Sequence, residues 1–332
     1  MTPSAEKEKF PKETTIPCCR VCTGCKGRVF SAAGFDWFDC SECAAVQKVL
    51  THEQYLDLNP SYDPGAFLDS AGRQHIERFL RIDEATQFLE RVTRTHFGGL
   101  SDGKKRSFLD IGCGMGGYLL AAQRLGFDVL GFEPSSDHAY VAKRHLDLPV
   151  ISEFFSPESV GSRSFDLIML SHVIEHIYTP KSFLHDLIGV LKPGGVLIVI
   201  TPNRNSIVAG FTGSLWPMLK PVDHVTMICA KTYSYFDLEG LADVRHTYSE
   251  FPFEFAATIA AVVKEKLRMH GTENTSQSPG SGGNRPPSLS RVSVGAQLLK
   301  GVLTVASTPA WLLALATDRR ACLNTVIVRR PH

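Results

Sequence analysis

Apolar positions follow a helical period in the first third of the chain and a strand-and-helix alternation after it. Tyr55, Leu56, Phe67, Ile76, Phe79, Leu80, Ile82, Phe88, Leu89 and Val92 recur at helical intervals, which predicts a helical connector or cap over residues 51–100. A Gly-Gly-Leu-Ser-Asp-Gly-Lys loop ends it at 98–104. The period then changes. Short apolar runs at 107–111, 127–132, 149–152, 165–170 and 196–201 read as strands, and 118–125, 135–146 and 180–191 as the helices between them. Pro193-Gly194-Gly195 reads as a turn, and Glu175-His176 as the opening of a helix. Strands alternating with helices of this length predict an α/β protein with a doubly wound, mostly parallel sheet, Rossmann-like in its layers.

The two ends of the chain read differently. Residues 1–16, rich in Lys, Glu, Thr and Pro, read as a disordered lead-in, and 17–50 as a small separate module. The core is expected over 101–250. Residues 251–332 read as a helical insertion with a flexible Gly/Ser/Pro/Asn-rich loop at 271–290 and a final strand at 324–328. The apolar stretch 292–317 reads first as a lid, with a peripheral membrane contact as the second reading. At 332 residues the chain is long enough for about two domains.

With 35 Lys and Arg against 34 Asp and Glu, the net charge is +1. This argues against nucleic acid as a partner. The polar start predicts no secretory signal, hence a cytoplasmic protein.

Six of the nine cysteines fall within the first 43 residues. Cys-x-x-Cys pairs without an export signal read as a metal site in a reducing compartment rather than a disulfide framework. Cys40-x-x-Cys43 is one knuckle. The other is Cys19-x-x-Cys22 or Cys22-x-x-Cys25. Seventeen residues separate Cys22 from Cys40 and fourteen separate Cys25 from it, so spacing favours Cys19, Cys22, Cys40 and Cys43. Four thiolates close a tetrahedral zinc site of structural type, a zinc-ribbon module.

Gly112, Gly114 and Gly117 satisfy G-x-G-x-x-G after the first core strand, the fingerprint of a dinucleotide site. Two acids redirect that reading. Asp110, at the strand end, would repel a pyrophosphate and suit a cationic amine. Glu133 follows 23 residues later, where an acid holds ribose hydroxyls. A nucleoside with a positive charge and no phosphate fits both, and S-adenosylmethionine is one.

Asp110-Ile-Gly-Cys-Gly-Met-Gly, Gly131-Phe-Glu133-Pro-Ser, Phe165 to His176 and Leu191-Lys-Pro-Gly-Gly195 together resemble the class I S-adenosylmethionine-dependent methyltransferases, over about residues 105–250. The likeness is greatest to small-molecule enzymes of the ubiquinone-type O-methyltransferase group, and the cysteine knuckles resemble an accessory module of some bacterial members. The resemblance implies that Gly112, Cys113, Gly114 and Gly116 line the methionine part of the cofactor. It implies that Asp110 faces its amino group, Glu133 holds the ribose, and Ser171 and His172 edge it. Glu153 or a stacking Phe154 would meet the adenine. His172 stands where some relatives carry a second acid, so magnesium is not expected. His224, in the loop after the fifth core strand, is the expected base, with His176 beside it. The implied reaction is methylation of a small or lipid-like metabolite at oxygen. Carbon or nitrogen methylation, a nicotinamide enzyme, and a non-catalytic zinc-ribbon binding protein on the same scaffold are the alternatives.

Overall fold

The computed structural model describes residues 17–58, 73–100, 102–249 and 316–331. The expected lead-in, the insertion, its loop and the apolar stretch therefore lie outside the described residues, apart from the last few positions before the final strand.

A seven-stranded sheet forms the centre. Its strands are β4 (Ser107–Ile111), β5 (Asp128–Phe132), β6 (Val150–Ile151), β7 (Phe165–Ser171), β8 (Leu191–Pro202), β10 (Ala242–Ser249) and β11 (Cys322–Arg329), in the order β10-β11-β8-β7-β4-β5-β6. The five strands from β8 to β6 run parallel. β11 inserts antiparallel between β8 and β10. The chain winds outward from β4 to β6, then crosses back to β7 on the other side of β4. The crevice at the carboxyl ends of β4 and β7 is therefore the topological switch point, where open α/β sheets bind ligands.

Apolar side chains leave both faces of this sheet, as buried parallel strands require. Leu109, Ile111, Ile168, Leu170, Leu197 and Val199 pack on one side. Phe108, Leu167, Met169, Val196 and Ile198 pack on the other, against α3 (Ile82–Phe97) and α4 (Gly117–Arg124). The helical connector breaks at Arg81, which takes a left-handed conformation (φ 54°) ahead of α3. Before it come α1 (His52–Leu56) and α2 (Arg73–Phe79), and α5 (Ser136–His145) follows β5.

Two local expectations are corrected. Residues 193–195 form no separate turn. They lie inside one long β8, where a register shift opposite Phe165 and Leu167 absorbs the extra residues as a bulge. Glu175-His176 does not open a helix. Ile174–His176 is a single tight turn, and α6 (Pro180–Gly189) starts only at Pro180, the residue best suited to a first helical position. β10, with polar residues alternating along a sheet edge, was not expected.

A second sheet holds the cysteines. β1 (Gly27–Ala32), β2 (Phe35–Cys40) and β3 (Val46–Lys48) form an antiparallel meander. Its fourth strand, β9 (Thr226–Met227), comes from the core chain some 180 residues later. Trp37, Val46 and Met227 share a buried cluster with Trp216 and Leu219 from the loop that follows α7 (Ile207–Thr212).

Candidate active site at the carboxyl ends of the sheet

The glycine loop turns out of β4 with Gly112, Gly114 and Gly116 all at positive φ (64°, 53° and 92°). Gly112 also needs its missing side chain. A Cβ there would sit 2.5 Å from Cγ2 of Val173, in the turn after β7. Gly112→Ala is therefore expected to cost about 1–2 kcal/mol in backbone strain alone and to push the loop away from the 172–176 turn. Thermal melting and nucleoside titration of the variant check both effects.

Two buried acids stand over this loop. Glu133 accepts from the Gly114 amide through Oε2 (2.7 Å) and from the Ser135 amide through Oε1 (2.8 Å). The carboxylate thus fixes the glycine loop and the start of α5 together. Asp110 is 2% exposed at the end of β4. Burial, and then the charge of Glu133, raise its pKa well above the ordinary carboxylate value. A buried pair of acids with this unfavourable mutual field suits a cationic ligand. Cys113, beside them, is buried as well. A side chain added at Gly114 would point into open space, which leaves room above the loop.

The next segment adds bases. His172 follows β7 in a left-handed conformation (φ 55°), and its amide donates to Ile200 O (2.8 Å). Its Nδ1 lies 3.3 Å from Oε1 of Glu175, which is fully buried. The other oxygen, Oε2, accepts from Thr201 Oγ1 (3.0 Å). Burial alone would raise the pKa of Glu175, but His172 and His176 outweigh it and lower it. His176 Nδ1 meets Asp223 Oδ2 at 2.9 Å. Burial opposes the imidazolium of His176, yet Asp223 and Glu175 prevail and raise its pKa.

His224 stands against it, the two rings edge to face with centres 4.8 Å apart. Its Nδ1 bonds Met218 O at 2.7 Å. A carbonyl only accepts, so Nδ1 carries the hydrogen and Nε2 of the neutral ring carries the lone pair. Burial, and then the charge of His176, lower its pKa. At neutral pH His224 is therefore an uncharged base beside a histidine that favours its cation. One carboxylate oxygen of Glu175 and one ring nitrogen each of His176 and His224 lie within 4.8 Å of one another.

Beyond β6, Phe154 is 79% exposed, and its neighbour Phe155 packs edge-on to Phe132. Ser171, at the tip of β7, completes the rim. Sequence reasoning passed over Thr201, Asp223 and the backbone acceptor Met218. An acid next to His224 was a visible signal for Asp223. The other two became neighbours only through the fold.

Among the cysteines, Cys19, Cys22, Cys40 and Cys43 bring their sulfurs within 4.8 Å of one another. The pairs Cys19–Cys43 and Cys22–Cys40 are each 3.5 Å apart. A tetrahedral zinc with bonds of ~2.3 Å needs sulfurs about 3.8 Å apart, so the donor set fits that ion. The hydrogen bond from Cys43 favours the Cys19 thiolate and lowers its pKa to about 5, while the same bond and burial push Cys43 up. Cys25 is not in the cluster. It forms a disulfide with Cys18, contrary to the expectation of a cysteine set without disulfides.

Known proteins can be set beside this geometry. A family described as a methyltransferase domain matches residues 75–244, just over half of the 332. The ubiquinone biosynthesis O-methyltransferase of Rhodopseudomonas palustris is 38% identical over 101 residues, 29% of this chain and 40% of that protein. Its counterpart in Caulobacter vibrioides is 34% identical over 135 residues, 38% of this chain and 50% of that protein. The chain thus spans half or less of the length of these relatives. Among solved structures, a SAM-dependent methyltransferase from Archaeoglobus fulgidus aligns over 73% of this chain and 94% of its own, at 16% identity and a TM-score of 0.42. The plantazolicin methyltransferase BpumL aligns over 84% and 93%, at 14% identity and a TM-score of 0.45. No helix among the described residues is long and apolar enough to cross a membrane. By its family match over 75–244, and with a sheet of the class I type, this chain belongs to the methyltransferase-domain family.

Proposed function

We propose that the protein transfers a methyl group from S-adenosylmethionine to the oxygen of a small, lipid-like acceptor, and that Cys19, Cys22, Cys40 and Cys43 hold a structural zinc. One observation carries the reading. Two buried acids over a glycine loop, Asp110 and Glu133, lie at the ends of β4 and β5, while the His176–His224 pair belongs to loops leaving the ends of β7 and β8. A cationic nucleoside and an acidic hydroxyl are the two ligands such neighbours suit. The names of the relatives favour oxygen. The apolar stretch 292–317 is where a lipid-like acceptor or a membrane surface would be met.

The bound cofactor supplies an electrophilic methyl on its sulfonium. The chain supplies the rest by position. Asp110 pairs with the ammonium of the methionine part. Glu133 keeps a second lone pair on each oxygen for the ribose hydroxyls. Gly112, Cys113, Gly114 and Gly116 bring backbone close to the methionine chain, Ser171 and His172 border it, and Phe154 offers a face to the adenine. His224 Nε2 takes the acceptor proton as the oxygen attacks, and His176, held by Asp223, places positive charge beside the forming oxyanion.

Asp110 makes this testable through pH. Its raised pKa leaves it more protonated in the free protein than an ordinary aspartate, and the ammonium needs its charged form. Binding should therefore release a proton, and affinity should rise with pH until Asp110 ionises unaided. Calorimetry in buffers of differing ionisation enthalpy reads that proton. Affinity that is flat or falls with pH would contradict the role. The activity itself is tested with methyl-labelled S-adenosylmethionine and a panel of catechols, phenols and polyprenylated phenols. Labelled methyl ether and one S-adenosylhomocysteine per turnover are expected. Label recovered on carbon or nitrogen would overturn the oxygen assignment.

A further inference from the structure

The cysteine sheet is built onto the loop that carries His224. β3 begins three residues after Cys43 and pairs with β9, Val46 opposite Met227 and Gln47 opposite Thr226. β9 begins two residues after His224. Lys48, the last residue of β3, is 0% exposed. Its Nζ donates to the carbonyls of Pro221 (2.9 Å) and Val222 (2.6 Å) and sits 4.0 Å from the centre of the Phe35 ring.

Arg20, inside the Cys19-x-x-Cys22 knuckle, works from the other flank. It donates to Val225 O (3.0 Å), to Tyr178 O (3.1 Å) and to Lys48 O (2.9 Å). The Lys48 amide shares Val225 O at 3.0 Å. The carbonyls on both sides of Asp223-His224 are thus held by two cations of the cysteine module. On the inner side, the Val225 amide donates to Glu175 O (2.8 Å) and Thr226 Oγ1 to Ile177 O (3.1 Å). The clamp therefore also fixes the distance between the 174–176 turn and His224.

A lysine with no exposure is costly to bury. Filling the space would need only an apolar chain of the same length, so the two carbonyl bonds account for the residue type. The remaining side-chain hydrogen bonds described between the module and the core run to Thr226, Arg204, Tyr178, Thr232 and Tyr235, whereas the glycine loop and Glu133 follow β4 and β5.

We propose that Lys48 and Arg20 are positioning residues for the acceptor half of the site, so that metal in the four-cysteine cluster governs acceptor turnover without governing cofactor binding. The word acceptor rests on the methyl-transfer reading above. The clamp on Pro221, Val222 and Val225 does not.

The test uses the zinc-loaded 332-residue protein, its Lys48→Met variant, and wild type stripped by a chelator. Three quantities are read: affinity for S-adenosylhomocysteine, hydrogen exchange of residues 217–227, and methylation of catechol as a probe. In the variant and the stripped protein, exchange over 217–227 should speed up at least about tenfold. Affinity for S-adenosylhomocysteine should stay within about twofold of the loaded wild type. With catechol, kcat should fall and the acceptor KM rise by about tenfold or more, with the KM for S-adenosylmethionine unchanged. A general structural role predicts a different pattern, in which cofactor affinity falls in step with turnover, and that result would overturn the inference. So would unchanged exchange over 217–227. If Lys48→Met does not fold, the stripped wild type makes the same comparison. Wild type that turns over no catechol counts against the activity reading alone, because exchange and cofactor affinity still decide the clamp.

Discussion

Glu133→Gln is expected to reduce S-adenosylmethionine binding by a factor of about 10² or more while the fold persists. The carboxylate accepts the Gly114 amide on one oxygen and the Ser135 amide on the other. A glutamine has one oxygen to offer. Its NH₂ would face one of those two N–H groups, donor against donor. A buried donor left without a partner costs about 1–3 kcal/mol, and a hydrogen bond to a charged group is worth about 1.5–3. Losing one such bond while the loop rearranges gives the hundredfold, since ~1.4 kcal/mol is tenfold in affinity. The damage falls on the glycine loop, because Gly114 is one of the two residues Glu133 holds. The sheet below keeps its packing through Leu109, Ile111, Leu130 and Phe132, so circular dichroism should be unchanged and the melting temperature should fall only modestly. Titration calorimetry with S-adenosylhomocysteine reads the affinity. Binding that survives at full strength would remove Glu133 from the ribose site.

His224→Ala should act on the other half of the reaction. Removing a general base typically lowers turnover by about 10²–10⁴-fold. His224 is prepared for that role by its own contacts. Met218 O fixes the hydrogen on Nδ1, and burial together with His176 keeps the ring neutral. Because its pKa lies below the ordinary histidine value of ~6.5, the acid limb of the kcat profile should fall below that pH in the wild type. The alanine variant should lose that limb along with its rate. Cofactor affinity should be unchanged, because the hydrogen bonds of Glu133 go to the Gly114 and Ser135 amides. Some stability is lost as well, since the part-buried Met218 O gives up its partner, at about 0.5–1.5 kcal/mol for one hydrogen bond. Full turnover with His224→Ala would make His224 a loop residue and leave the proton to another acceptor.

What the amino-acid sequence discloses here depends on how local the chemistry is. Asp110, the glycines and Glu133 fall within 24 residues at the ends of two successive strands, and each position has one conformational or electrostatic reason to be what it is. The alternation of apolar strands and helices discloses the parallel sheet for the same reason. Other features depend on distant pairing. β9 is two residues long, too short to show any period, yet it carries the connection between the cysteine sheet and the active-site loop. Lysine is a residue type that is nearly always exposed, so nothing local announces that Lys48 is enclosed. β10 alternates charged and apolar residues at the edge of the sheet, and its polar content hides it. Residues 193–195 have turn composition, but β7 pairs with β8 on both sides of them, at Leu191 and from Val196 on, and so absorbs them as a bulge. Pro180 marks the start of the helix read over 180–191, whereas Glu175-His176 lies in a separate tight turn before it.

In the proposed reaction one protein holds a cationic nucleoside over Asp110 and Glu133 and presents it to an acceptor beside His224. Native mass spectrometry of the full chain with added S-adenosylmethionine, reduced nicotinamide dinucleotide, or neither addresses it most directly. A mass increase of one S-adenosylmethionine or its demethylated product, lost in Glu133→Gln, is expected, with no adduct of the dinucleotide. Binding of the dinucleotide with none of S-adenosylmethionine would contradict it.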